Sequence, residues 1–172
     1  MVGLVIGRFQ PFHSGHLKMV EYVYKREKSV IVGIGSAQNS HTIDDPFTAG
    51  ERYEMIYKTL KRDNIDHFYI IPIEDIYRNS LWVEHVRSFV PRFDVVYSNN
   101  PLTKRLFSEA GIKVEEYSMY KRRVCTGKRI RKLMLEGDNW KRYVPESIAE
   151  FITKMGGIRR MKEIAGSDEV ED

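Results

Sequence analysis

The chain has a single cysteine, Cys125, in 172 residues. An internal disulfide is therefore excluded, and a reducing, cytoplasmic setting is expected. Long hydrophobic runs are missing as well, which excludes a membrane-spanning helix. Met1 leads straight into a strand pattern, without the basic region and long apolar core of a signal peptide. Several familiar catalytic signatures are also absent. There is no G-x-x-x-x-G-K-[ST], so this is not a P-loop kinase, and no G-x-S-x-G elbow. Gly33-Ile34-Gly35 lacks the third glycine of a dinucleotide fingerprint and follows the second strand pattern rather than the first. No pair of carboxylates stands at a spacing useful for acid–base work.

What is present is a globular composition, 42% hydrophobic and 30% charged, long enough for one domain with a full core. That domain is expected over residues 1–166, with the acidic stretch 167–172 fraying at the end. The net charge of +4 and a pI near 9.1 point to an anionic partner: nucleic acid, a nucleotide or a phosphorylated metabolite.

Short apolar runs alternate with amphipathic ones. Residues 2–6, 30–34, 68–73 and 95–97 read as strands buried on both faces, and 112–117 alternates like an edge strand. Between them, Leu17, Val20 and Tyr24 share a helical face, as do Tyr53, Ile56, Tyr57 and Leu60. Thr48 and Glu51 form a T-x-x-E capping box for the second helix. Val83, Val86 and Val90 mark a third helix, stopped by Pro91. Leu102, Leu106 and Ala110 mark a fourth, ending at Gly111; Ile130, Leu133 and Met134 a fifth, ending near Gly137; Ile148, Ile152 and Met155 a sixth. Such alternation predicts an α/β, Rossmann-like doubly wound parallel sheet of about five strands with helices on both faces.

In such sheets ligands bind beyond the carboxyl ends of the strands, and the polar loops of this chain follow the strands: RFQPFHSGH (8–16), GSAQNSH (35–41), EDIYRNSLW (74–82), SNNP (98–101) and KRRVCTGKRIR (121–131). In HSGH (13–16), Gly15 permits close backbone approach, and His13 and His16 are expected i, i+3 on the first turn of a helix that opens there. Imidazoles beside free amides at the positive end of a helix dipole can donate to phosphate oxygens, with Arg8 adding charge. A pair of ordinary surface histidines, or a metal site completed by His41 or Cys125, are the alternatives; the acidic partner of an H-E-x-x-H zinc helix is missing. Seven of the twelve residues 121–132 are basic, which suits an RNA patch or phosphate binding at a helix starting near Thr126-Gly127. No glycine-and-aromatic motif of an RNA-binding module accompanies them. The lack of a carboxylate pair fits a phosphate nucleophile, already mostly ionised with a second pKa of about 6 and needing no general base.

These residues resemble the nucleotidyltransferases marked by an early [H/T]-x-G-H and a late S/T-x-x-x-x-R helix start. The chain is similar, more closely, to the archaeal-type nicotinamide-nucleotide adenylyltransferases. The resemblance covers nearly the whole chain through GRFQPFHSGH (7–16), IGSAQNSHT (34–42), DPFTAGER (45–52), IEDIYRNSLWV (73–83) and a P-x-F-D-x-V-Y-S strand entry at 91–98. It implies attack of the phosphate of nicotinamide mononucleotide (NMN) on the α-phosphate of ATP, giving NAD and pyrophosphate, with Mg²⁺ held mainly by substrate phosphates. It further implies that His13, His16 and Arg131 contact the triphosphate and stabilise the transition state. Gly7, Arg8, Phe9, Asn100, Thr126 and Gly127 would complete the ATP site. Ile76 and Asn79 would meet the acceptor, with Trp82 stacked on its pyridine ring and Asn79 bonded to its carboxamide. From the residues alone, Trp82 is equally a core anchor. A homo-oligomer is implied, a hexamer being one size, and no nucleic-acid partner. Lys128, Cys125 and Asn99 depart from the pattern, standing where threonine, tyrosine and glycine are usual; asparagine tolerates a left-handed backbone better than most residues. Two other readings are the same transfer to nicotinate mononucleotide, phosphopantetheine or a flavin phosphate, and a non-catalytic nucleotide- or RNA-binding protein.

Overall fold

The apolar runs become parallel strands in the computed structural model, which describes residues 1–118 and 125–168. These are β1 (Val2–Gly7), β2 (Ser29–Ile34), β3 (Phe68–Pro72), β4 (Val95–Tyr97) and β5 (Val114–Glu115), in the order β3-β2-β1-β4-β5. The helices are α1 (Ser14–Glu27), α2 (Ala49–Arg62), α3 (Asn79–Phe89), α4 (Pro101–Glu109), α5 (Gly127–Glu136), α6 (Glu146–Lys154) and α7 (Gly157–Asp168). Alternation along the strands divides the core. Leu4, Ile31 and Val96 pack with Val83, Val86 and Phe107 of α3 and α4. Val5, Val32 and Tyr97 pack on the other face with residues of α1, α2, α5, α6 and α7. Two covered faces explain why the strands read as continuous apolar runs.

The chain winds outward from β1 to β3, then crosses back to place β4 on the other side of β1. The loops after β1 and β4 diverge at this switch point, where open α/β sheets form their ligand crevice. The expected helix signals are used. Thr48 and Glu51 cap α2 reciprocally (3.1 and 2.9 Å), and Gly111 and Gly137 follow α4 and α5 at φ of 72° and 75°.

Three features differ from expectation. β5 is shorter than 112–117, and Asn99 has no left-handed backbone. Its side-chain amide instead exchanges hydrogen bonds with the backbone of Tyr117 (2.8 and 3.3 Å), replacing the next rung of the β4–β5 ladder. That arrangement requires an amide side chain, not a glycine. The third is α7, a helix beyond the six expected, along which Ile158, Met161 and Ile164 are spaced at helical intervals. It is fixed by Arg160, whose guanidinium grips both carboxylate oxygens of Glu51 (2.9 and 2.7 Å) and the carbonyl of Pro46 (3.0 Å). α7 runs to Asp168, two residues into the acidic stretch, and 169–172 lie outside the described residues.

The loops at the carboxyl edge converge on Arg52. It sits on the inward face of α2 with Met55, Ile56 and Leu60, and none of its surface reaches solvent. Its guanidinium donates to the carbonyls of Thr48, Arg8, Gly35, Ser36, Ala37 and Asn39 at 2.9–3.4 Å. Gln10 adds a second clamp, exchanging two hydrogen bonds with the backbone of Phe47 (2.8 and 2.9 Å). Arg52→Met would strip the buried carbonyls of their donor at a cost of about 3–5 kcal/mol, as for breaking a buried ionic network. Thermal unfolding should show Tm lowered by about 10 °C for a domain of this size. Arg52→Lys should recover little of it, because an ammonium lacks the planar fork that reaches several acceptors.

Candidate active site

His13 is the residue before α1 rather than part of its first turn, which corrects the expected placement. Its backbone is extended (φ −124°) and its ring caps the helix. The backbone N–H of His16 donates to His13 Nδ1 (3.3 Å), and the N–H of His13 donates to His16 Nδ1 (3.2 Å). This is a capping box in which two imidazoles replace the usual hydroxyl and carboxylate. The rings stack with centroids 3.5 Å apart and 17° between planes, and Phe9 and Phe12 pack against His16. Because each Nδ1 accepts, each ring carries its proton on Nε2. No acceptor among the described residues takes either Nε2–H.

Arg131 lies three helical positions beyond Lys128 but folds back over Gly127. Its side chain is buried, donating from Nη1 to the carbonyl of Gln10 (2.9 Å) and from Nη2 to Asp44 (2.9 Å). A Cβ on Gly127 would stand 3.1 Å from Nη1 and 3.2 Å from the Gln10 carbonyl, so glycine is what permits this approach. Thr126 caps α5 through the N–H of Arg129 (3.3 Å). Arg8 reaches Asp45 (3.2 Å) while most of its side chain stays in solvent.

A cleft of about 300 Å³ is lined by Arg8, Phe9, His13, His16, Lys128 and Arg131, together with Gln10, Asp44 and Gly127. A hollow of about 180 Å³ shares both histidines and Gly127 and adds Thr126, Cys125 and Tyr117. Most of the residues expected at phosphates therefore meet here. Lys128, the departure from the usual threonine, is among them. Two expected residues do other work: the Gly7 carbonyl accepts from Gly35 N–H (2.9 Å), and Asn100 caps α4 through Thr103 N–H (3.0 Å). Residues 121–124 of the basic run lie outside the described residues.

A separate cleft of about 240 Å³ lies between the starts of α3 and α4, lined by Asp75, Tyr77, Asn79, Trp82, Leu102 and Leu106 among others. Trp82 is held edge-on by Phe107 (5.5 Å), so it is both a core contact and a cleft wall. Ile76 is half-buried between two lining residues. A larger hollow, about 640 Å³ around Arg87, Arg92 and Phe93, is at the opposite edge of the sheet and contains none of the expected site residues.

Cys125 Sγ lies 3.5 Å from His13 Nδ1 and 3.6 Å from the Tyr143 carbonyl, whereas His41 is exposed and bonded to Ser40. Among the described residues no three His, Cys, Asp or Glu side chains are arranged to hold a metal ion. No helix among them is long and apolar enough to cross a membrane.

Burial lowers the pKa of His13 from 6.5 to about 4, against a smaller opposing contribution from its backbone hydrogen bond. Burial, then the neighbouring His13, holds His16 well below 6.5. Both rings are therefore neutral donors in the free protein at neutral pH. The unfolded chain binds their protons first, so stability is full above pH 6.5 and falls as pH drops from 6.5 through about 4. Tm measured across that window should decline less steeply in a His13→Asn, His16→Asn double variant than in the parent.

A family profile described as cytidylyltransferase-like matches residues 4–152. A nicotinamide-nucleotide adenylyltransferase of Archaeoglobus fulgidus is 54% identical, over 98% of this chain and 99% of the relative. One from Thermoplasma volcanium is 50% identical, over 96% and 93%. Among solved structures, a bifunctional NMN adenylyltransferase/ADP ribose pyrophosphatase of Francisella tularensis, complexed with AMP and a manganese ion, has the same fold. It superimposes with a TM-score of 0.78 over 94% of this chain at 24% identity, and this chain spans about half (52%) of its length. The strand order, the paired histidines at the switch point and the full-length identity lead to one conclusion: the chain belongs to the archaeal nicotinamide-nucleotide adenylyltransferases, within the cytidylyltransferase-like family.

Proposed function

We propose that the cleft between His13, His16 and Arg131 is where this NMN adenylyltransferase makes NAD from NMN and ATP. The NMN phosphate, already mostly dianionic near neutral pH, attacks the α-phosphorus of ATP. The bond from that phosphorus to the bridging oxygen breaks, and pyrophosphate leaves with its electron pair. No proton has to be taken from the nucleophile, in keeping with the absence of a base pair of carboxylates. The two Nε2–H groups donate to phosphate oxygens as charge builds on them, and Arg8, Lys128 and Arg131 supply positive charge. The start of α1 adds backbone amides and its dipole.

The observation that carries this reading is the reciprocal imidazole cap. It uses up both Nδ1 atoms on the backbone and leaves each Nε2–H free to donate, on rings that line one cleft with Arg8, Lys128 and Arg131. The donor set also bears on the metal. Among the described residues Asp44 is the one carboxylate lining the cleft, and it is engaged by Arg131. That suits Mg²⁺ carried by triphosphate oxygens rather than caged by protein. When bound it neutralises charge on the departing pyrophosphate. We assign the second cleft to the acceptor, with Trp82 against the pyridine ring and Asn79 at its carboxamide. The Cys125 thiol beside His13 suits a reducing cytoplasm.

The test is pyrophosphate release from MgATP with NMN, nicotinate mononucleotide, phosphopantetheine or FMN as acceptor. Release with NMN, yielding NAD by mass, is expected. His16→Ala should keep its fold and lose about 10²–10³-fold in kcat, the usual cost of removing one donor to a developing charge. Near-parental turnover would remove His16 from the mechanism. Trp82→Ala should raise KM for NMN about tenfold and leave KM for ATP alone.

A further inference from the structure

Tyr77 is in a conformation that folding alone does not explain. Its φ is 52°, in the left-handed region that a bulky L-residue rarely occupies, and its side chain is 81% exposed. A strained backbone normally persists because surrounding contacts hold it for a purpose, and burial is not the purpose here. The holding contacts come from the loop after β2. Gln38 Nε2 donates to the Tyr77 hydroxyl (3.3 Å), and Gln38 Oε1 accepts from the Asp75 backbone N–H (3.1 Å). Ser36 Oγ donates to the Asp75 carboxylate (2.6 Å). The same loop is anchored from beneath by Arg52 through the carbonyls of Ser36, Ala37 and Asn39. An exposed phenol is thus fastened, through a rigid support, at the mouth of the cleft that Trp82 also lines.

From this juxtaposition we infer that Tyr77 is the second aromatic wall of the acceptor site, so that the pyridinium ring of NMN is held between the π faces of Tyr77 and Trp82. The inference rests on the assignment of that cleft to the acceptor. Its chemical consequence is a preference among acceptors. The pyridinium of NMN is cationic and planar, and each aromatic face attracts it. The dihydropyridine of reduced NMN is neutral and loses that attraction. Tyr77 therefore selects the oxidised acceptor, while Gln38 acts as its positioning residue.

The experiment compares KM and kcat for NMN, reduced NMN and ATP in Tyr77→Asn, Tyr77→Phe and Trp82→Ala. Asparagine tolerates the left-handed backbone, so Tyr77→Asn removes the ring and spares the loop. It should raise KM for NMN about three- to tenfold, leave kcat and KM for ATP unchanged, and reduce the preference for NMN over reduced NMN by a similar factor. Tyr77→Phe keeps the ring and loses only the bond to Gln38, so KM for NMN should rise by no more than about threefold. If Trp82→Ala raises KM for NMN but Tyr77→Asn leaves it unchanged, the second wall is wrong and the acceptor cleft stands. If neither variant changes it, the cleft assignment itself has failed. A fall in kcat for Tyr77→Asn with unchanged KM and unchanged preference would reduce Tyr77 to loop support and overturn the inference.

Discussion

One guanidinium, fully enclosed, binds six carbonyl groups drawn from three segments of the carboxyl edge: the loop after β1, the loop after β2 and the start of α2. Loops that carry function cannot bury much apolar surface, and their backbone carbonyls still need donors. Arg52 supplies those donors from the helix below. Its pKa is lowered, chiefly by burial, yet a guanidinium keeps its charge in such places. The consequence is a rigid floor under both clefts. Arg8 and the turn into His13 stand on one side of it, and Ser36 to Asn39, which hold Asp75 and Tyr77, stand on the other.

On that floor the site is built from helix termini rather than from carboxylates. The amides at the start of α1 are partly satisfied by imidazoles, and that arrangement decides which nitrogen of each ring carries the proton. Stacking the rings 3.5 Å apart in a buried position keeps them uncharged, because a charge on one would be unsolvated and would repel a charge on the other. Hydrogen-bond donation and positive charge are therefore divided among different residues. In the proposed site the histidines are the neutral donors, and Arg8, Lys128 and Arg131 are the charged groups. Asp44 and Asp45 hold Arg131 and Arg8 in place, so Asp44, the one acid among the described residues that lines the cleft, is occupied with positioning.

Much of the fold is legible in the sequence. The five strands follow from short apolar runs because both faces of the sheet are covered. The capping box at Thr48 and Glu51, and the glycines after α4 and α5, mark ends whose chemistry is local. His13, His16 and Arg131 were recognisable because close motifs in order along the chain tie them to one edge of the sheet. For Arg52 the sequence holds one signal, an arginine in register with Met55, Ile56 and Leu60 on an apolar helix face. Its partners could not be read, being carbonyls supplied by loops far away in sequence. The left-handed reading of Asn99 failed for a similar reason. Local preference allowed it, but an amide able to pair with Tyr117 found a better use across the sheet. The docking of α7 is not legible either, because it depends on Arg160 meeting Glu51, more than a hundred residues earlier.

The sequence by itself determined the parallel α/β class, the positions of most elements and the reaction family. The first two depend on periodicity and local capping, which act over a few residues or one turn; the reaction family depends on the resemblance carried by motifs in order along the chain. Only the tertiary structure decided the tautomers of the two histidines, the division between charged and neutral groups, and which loops share a floor. Those properties arise from burial and from hydrogen bonds between distant segments, and a buried donor is satisfied by whatever the fold brings to it.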